Sequence, residues 1–269
     1  MSAITKAIQK TKAQGNAALI GYVTAGDPMP ELTPQIADAL IRGGVDVLEL
    51  GLPFSDPIAD GPTIQAASVR ALTAGTTPTK VLQMAKEIRK THETPIVIMT
   101  YYNPVFRMGL EKFCRLAKQC MVDGVIVPDL PVEESGDFRK AASDLGLDTI
   151  FLAAPSTSTE RLKAIIQASS GFLYLVSHFG VTGVKKEVED STINLIKRVL
   201  PITSGKIFLA VGFGVSKPQH VKRIVEAGAD GVIVGSAFIN LIQKDKDNPV
   251  CMLRELEAGA SELKKATKY

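Results

Sequence analysis

Short runs of apolar, β-branched residues alternate along the chain with stretches whose apolar positions recur at helical spacing. Eight such runs stand out: Ala18–Val23, Val45–Leu50, Ile96–Tyr101, Gly124–Val127, Thr149–Leu152, Phe172–Val176, Ile207–Val211 and Gly231–Val234. Bounded by turn residues, runs of this length read as strands. Between the first two, Leu32, Ile36, Ala39 and Leu40 fall at i, i+4, i+7 and i+8, which gives one apolar helix face. Strands alternating with helices predict parallel βα units, and eight units without a linker predict a closed barrel. The expected fold is therefore α/β, a single (β/α)8 TIM barrel forming one domain over residues 1–269, with an open doubly wound sheet as the alternative. Met1 to Lys12, a basic amphipathic stretch, predicts an extra N-terminal helix.

Internal repetition supports the barrel. Asp123-Gly-Val-Ile-Val127 recurs letter for letter as Asp230-Gly-Val-Ile-Val234, and Asp46-Val-Leu-Glu-Leu50 is a looser copy. Each follows a glycine or other small residue that can end a helix, so the chain reads helix stop, Asp, strand. The spacing between strands is longest after the second and is also extended after the sixth. Long loops are expected there, at Pro53–Pro62 and Ser177–Asp190. Active sites of these barrels are built from the loops that follow strands, so both are candidate lids.

Composition narrows the function classes. The 269 residues are 45% hydrophobic and 22% charged, enough to bury a sizeable core. A net charge of +3 on scattered lysines carries no stripe for a phosphate backbone, which sets nucleic acid aside. Cys114, Cys120 and Cys251 lack the pairing of a disulfide framework and the spacing of a zinc knuckle, which fits a reducing, cytoplasmic setting. No apolar run approaches the ~20 residues that cross a bilayer, and the N-terminus lacks a signal-peptide core. No membrane partner is expected.

The candidate chemistry begins with Glu49. Apart from Asp46, which opens its copy of the repeat, it is the only carboxylate, lysine, arginine or histidine inside the eight runs. Parallel strands are covered on both faces, so a charge within one needs a reason. Near the carboxyl end of its strand, between Leu48 and Leu50, Glu49 can reach the barrel mouth in an apolar setting that raises its pKa toward a useful range. A buried acid paired with an arginine is the competing reading. Eleven residues on, Asp60 offers a second carboxylate to the same mouth, although Asp before Gly61-Pro62 is also a good helix N-cap.

Glycines follow the last two strands, in Gly212-Phe213-Gly214 and Gly235-Ser236, where such barrels often bind phosphate through backbone N–H groups. Gly180-Val181-Thr182-Gly183 could close over the same group. No strand lysine offers a Schiff base, and His92, His178 and His220 lack ligand spacing, so no metal is expected. Metal-free acid–base chemistry on a phosphorylated substrate remains.

Six segments then carry a resemblance: Tyr22-Val-Thr-Ala-Gly-Asp-Pro28, Leu48-Glu-Leu-Gly-Leu-Pro-Phe-Ser-Asp-Pro57, Ala59-Asp-Gly-Pro-Thr-Ile-Gln65, Pro128-Asp-Leu-Pro131, Gly180-Val-Thr-Gly183 and Val211-Gly-Phe-Gly214. In this order, across nearly the whole chain, they resemble the tryptophan synthase alpha subunit family. The resemblance implies retro-aldol cleavage of indole-3-glycerol phosphate to indole and glyceraldehyde 3-phosphate. It implies that Glu49 protonates indole C3 and takes the side-chain hydroxyl proton, while Asp60 holds the indole N–H. Tyr22, Tyr101 and Tyr174 would belong to the substrate pocket, with Tyr101 and Tyr174 ending their strands. Thr182, Gly183, Gly212, Phe213, Gly214, Gly235 and Ser236 would surround the phosphate.

The resemblance also implies a beta subunit carrying pyridoxal phosphate, in an alpha-beta-beta-alpha complex, and no cofactor in this chain. The loop bearing Pro53, Phe54, Asp56 and Pro57 would contact that partner, and its apolar residues, with Ile58, are expected at the surface; a turn packed on its own barrel is the alternative. His178 departs from the arginine or small residue of the family's lid, and Gly21 stands where proline is frequent. Competing readings are another phosphosugar barrel enzyme, such as indole-3-glycerol-phosphate synthase or phosphoribosylanthranilate isomerase, and a mainly regulatory subunit that activates its beta partner.

Overall fold

In a computed structural model of the chain, residues 1–176, 190–212 and 214–269 are described. Their strands form one parallel sheet: β1 (Ala18–Thr24), β2 (Val47–Gly51), β3 (Ile96–Met99), β4 (Gly124–Ile126), β5 (Asp148–Ile150), β6 (Leu152–Ala153), β7 (Phe172–Val176), β8 (Phe208–Gly212) and β9 (Gly231–Val234). The order is β5-β4-β3-β2-β1-β9-β8-β7-β6. Its two ends are consecutive in sequence, parted by Phe151 alone. The fifth predicted run is thus one staff broken in two, its first half paired with β4 and its second with β7, and the ring closes there into the expected eight-membered (β/α)8 barrel. Phe151 carries the closure, its carbonyl accepting the Tyr174 N–H at 3.1 Å.

Alternate strand residues face opposite sides of the sheet, and this divides the core in two. Ala18, Ile20, Val47, Val97, Ile126, Phe172 and Ile233 fill the barrel interior, while Leu19, Leu48, Ile98 and Leu209 face the surrounding helices. The N-terminal helix (Ala3–Ala13), capped by the Ser2 hydroxyl, presents Ile4 and Ile8 to the interior cluster and closes the barrel base.

The repeated aspartates explain the helix stop, Asp, strand pattern. Each exchanges two hydrogen bonds with the neighbouring strand's start. The carboxylates of Asp46, Asp123 and Asp230 accept the N–H of Leu19, Ile96 and Leu209 at 2.7, 2.9 and 2.8 Å. Their own N–H groups donate back to the carbonyls of the same three residues. Ser170 does the same for Thr149 with a hydroxyl in place of a carboxylate, a substitution that conceals the repeat in the sequence.

Three expectations change. The third strand stops at Met99, and Tyr101 instead takes the N-cap position of the next helix (Tyr102–Met108), with no capping bond from its side chain. The added length after β2 holds, besides the loop, two helices, Pro62–Thr73 and Pro78–Ile88, in place of the usual one. Asp148 opens β5, so Glu49 is not the one carboxylate inside a strand. Of the second predicted loop, Ser177–Asp190, all but Asp190 lies outside the described residues. At Gly21 an added Cβ would stand 3.0 Å from Val45, so the glycine lets Val45 close on β1. Among the described residues, no helix is long and apolar enough to cross a membrane.

Candidate active site

Register places the interior residues nearest the strands' carboxyl ends around one pocket. Tyr22 lies opposite Glu49 across β1 and β2, Leu152 opposite Tyr174 across β6 and β7, and Gly212 opposite Ile233 across β8 and β9. All six line the pocket, together with Asp60, Gly214, Gly235 and Ser236.

Glu49 is 0% exposed, and neither carboxylate oxygen has a hydrogen-bond partner. No arginine pairs with it among the described residues, which removes the competing reading. Burial, and secondarily the charge of Asp60, pushes its pKa up to about 8. Asp60 is 7% exposed, and its pKa rises to about 6 through burial, held back by a hydrogen bond from the Tyr101 hydroxyl. Its capping alternative also falls: Gly61 is the N-cap of the Pro62–Thr73 helix and no side chain caps it.

Tyr101 organises the loop that brings Asp60 to the mouth. Its hydroxyl oxygen accepts the Ala59 N–H at 3.0 Å, and Phe54 stacks on its ring with centroids 5.4 Å apart. Gln65 donates to the Asp60 carbonyl at 2.9 Å. The loop is therefore packed partly on its own barrel. Pro53 is buried and Phe54 and Pro57 half-buried, contrary to the expected surface positions, whereas Asp56 and Ile58 are exposed, Ile58 at 84%.

Two glycines make room for tyrosine hydroxyls. A Cβ on Gly51 would stand 2.2 Å from the Tyr22 hydroxyl oxygen, and one on Gly212 would stand 2.6 Å from that of Tyr174. Tyr174 lies within β7 and not at its end. Burial first, then the nearby acids, raises both tyrosines' pKa well above the ordinary value, so both stay neutral and can donate hydrogen bonds.

On the opposite wall, Gly235 precedes the helix Ser236–Lys244, whose N-terminal N–H groups begin at the pocket. Gly214 has φ +54°, a conformation that favours glycine. Such a terminus suits an anion. Phe213, His178 and Gly180-Val181-Thr182-Gly183 lie outside the described residues.

Sequence reasoning missed the apolar walls, Ile64, Met99, Pro128, Leu152, Val176 and Ile233. Counting alternate residues back from Glu49-like positions would have found Met99, Leu152 and Ile233. It also missed a buried ion pair: Arg70 donates to both Asp27 oxygens, at 2.7 and 2.8 Å, and ties the loop after β1 to the Pro62–Thr73 helix. Cys251 stands with Asp245 and Glu255, their ligand atoms within 4.8 Å of one another, but Lys244 holds both Glu255 oxygens at 2.7 Å. That cluster lines none of the pocket.

Comparison with known proteins extends over nearly the whole chain. Residues 8–268 match the family model described as tryptophan synthase alpha chain. The tryptophan synthase alpha chain of Methanoregula boonei is 47% identical over 253 residues, covering 94% of this chain and 95% of its own. Among solved structures, Mycobacterium tuberculosis tryptophan synthase superposes with a TM-score of 0.91 at 35% identity, covering 100% of this chain and 99% of that one. The tryptophan synthase complex from Pyrococcus furiosus gives 0.85 at 41% identity, with 93% and 98% covered. With a family model spanning nearly every residue and relatives matched end to end, the chain belongs to the tryptophan synthase alpha chain family.

Proposed function

We propose that Glu49 and Asp60 divide the work of the family's carbon–carbon lyase reaction, the cleavage of indole-3-glycerol phosphate, within one barrel domain over residues 1–269. The observation that carries this is two buried carboxylates facing one pocket, with pKa values near 8 and 6. At neutral pH the first is mostly protonated and the second mostly ionised, so one acid can give a proton while the other receives an N–H.

Glu49 gives its proton to indole C3. The bond from C3 to the hydroxyl-bearing carbon then breaks, and the electron pair of that bond stays with the indole. The freed carboxylate takes the hydroxyl proton as the aldehyde forms, which restores the acid. Asp60 accepts the indole N–H and stabilises positive charge that develops there when C3 is protonated. Tyr22, Tyr101 and Tyr174, with the apolar walls, enclose the indole. Gly212, Gly214, Gly235 and Ser236 receive the phosphate at the helix N-terminus; the resemblance adds Thr182, Gly183 and Phe213, which lie outside the described residues.

The Pro53–Pro62 loop, with Phe54, Asp56 and Pro57, faces a beta subunit in an alpha-beta-beta-alpha complex in the cytoplasm. That partner holds the pyridoxal phosphate, and the chemistry of this chain requires only its own side chains. The test is indole release from indole-3-glycerol phosphate, with and without beta subunit, for wild type and Glu49→Gln. Undiminished cleavage by the variant would sink the mechanism. Activation of the beta subunit by a wild-type chain that releases no indole would favour the regulatory reading.

A further inference from the structure

Asp60 enters the pocket from one end of a helix, and an anchor holds that helix near its other end. The Pro62–Thr73 helix takes Gly61 as its N-cap, so Asp60 directly precedes it, and Gln65 in its first turn donates to the Asp60 carbonyl at 2.9 Å. The carboxylate therefore moves with the helix. The face that the helix buries consists of Ile64, Ala67, Ser68 and Ala71. Three of these are small side chains, which make low ridges and interlock little with the barrel, so they leave the helix free to slide or tilt.

Arg70 supplies the constraint that these small residues lack. Its Nε donates to Asp27 Oδ1 at 2.7 Å and its Nη2 to Oδ2 at 2.8 Å, a two-pronged contact that fixes angle as well as distance. Asp27 is 0% exposed and sits in a loop that is itself held. The Ala25 N–H donates to the Gly51 carbonyl at the end of β2, the Gly26 N–H to the Thr33 hydroxyl and the Asp27 N–H to the Thr24 carbonyl. The turn after the helix closes on the same loop, since a Cβ on Gly26 would stand 1.9 Å from the Thr76 hydroxyl oxygen. A buried ion pair commonly adds little net stability over apolar packing of the same volume, so its contribution here is foremost geometric.

We propose that Asp27 and Arg70 form a positioning pair for Asp60, setting the register of the Pro62–Thr73 helix on the barrel so that the carboxylate reaches the pocket. Neither residue of the pair lines that pocket. At about 1.5 Å of rise per residue the clamp lies ~15 Å along the helix from Asp60, so a tilt of about 4° displaces the carboxylate by roughly 1 Å. A misplacement of that size costs on the order of 100-fold in rate. The inference rests on the role proposed for Asp60 in the cleavage.

The test is the pH profile of indole release by the full chain with its beta subunit, per folded molecule, for wild type, Asp27→Asn, Arg70→Lys and Asp60→Asn. Arg70→Lys keeps the charge and removes only the fork, on a side chain that is 21% exposed, and it tests the same pair should Asp27→Asn misfold. In both pair variants kcat is expected to fall about 10- to 100-fold while KM changes by less than about threefold, because the phosphate site is untouched. The acid limb of the profile is expected to move to lower pH, because burial is the main cause that raises the Asp60 pKa and a displaced Asp60 meets more water. A lowered urea midpoint with kcat and acid limb unchanged means a purely structural pair and overturns the proposal, as does an acid limb that stays or moves up. Pair variants that match wild type while Asp60→Asn does not overturn the positioning alone, whereas Asp60→Asn with the wild-type rate and acid limb overturns the role of Asp60 and the proposal with it.

Discussion

The two mouths of the barrel use the same kind of side chain for opposite ends. Asp46 and Glu49 stand three positions apart in one strand segment. At the base, the Asp46 carboxylate accepts the Leu19 N–H at 2.7 Å and a Lys264 ammonium at 2.5 Å. At the mouth, the Glu49 oxygens accept nothing. The base acid stitches adjacent strands together, while the mouth acid is kept desolvated at a cost the rest of the fold must offset. Stability and reactivity are thus separated along the length of a single strand, the arrangement that lets such barrels vary their chemistry at one face.

Removing the mouth acid should give the largest effect. Glu49→Gln is expected to lower indole release on the order of 10³-fold, the scale of a lost general acid–base group. It should also alter how stability varies with pH. The folded-state pKa near 8 lies above the ordinary 4.5, so the folded chain binds this proton more tightly than the unfolded one. Glu49 therefore lowers stability progressively as pH rises from about 4.5 through 8. Urea denaturation across pH 5 to about 9 should show a shallower decline in the variant. Equal slopes would mean that Glu49 is not desolvated as its burial requires.

Removing a base acid should do the reverse. Asp123→Ala leaves the Ile96 N–H, now paired at 2.9 Å, without its side-chain acceptor. A loss of about 1–3 kcal/mol in unfolding free energy is expected, with turnover per folded molecule unchanged. A variant that keeps its stability but loses turnover would break the division between the two mouths.

The same division decides how much could be read without coordinates. The strand runs were legible because each is apolar on both faces, and Glu49 because it interrupts one. Asp60 was legible as a second acid, but its freedom from capping depended on Gly61 taking the N-cap position. Asp148 was missed because its strand begins one residue earlier than the apolar pattern suggests. The Phe151 break left no trace, since closure of the ring depends on two neighbours distant in sequence. The Asp27–Arg70 pair was hidden for the same reason, its members being 43 residues apart. Local chemistry shows in local sequence, whereas partners brought together by closure do not.

The smallest effect gives the sharpest test of how the mouth is tuned. Cleavage needs Glu49 protonated and Asp60 ionised, so activity should fall as pH drops through about 6 and again as it rises through about 8. Tyr101→Phe keeps a ring for Phe54 to stack on and deletes only the hydroxyl that holds Asp60 down. Burial then acts on Asp60 with less opposition, so the acid limb of the rate profile should move to higher pH while the alkaline limb stays. The bell narrows from one side, and the maximal rate falls by about tenfold or less, the scale of one hydrogen bond. A shift of the alkaline limb instead would mean that the Tyr101 hydroxyl acts on Glu49, and the two carboxylates would then have to be treated as one coupled pair. The base should not respond at all, since the carboxylates of Asp46, Asp123 and Asp230 bond Leu19, Ile96 and Leu209 and not Tyr101, so backbone amide protection at those three residues should stay unchanged while the rate profile moves.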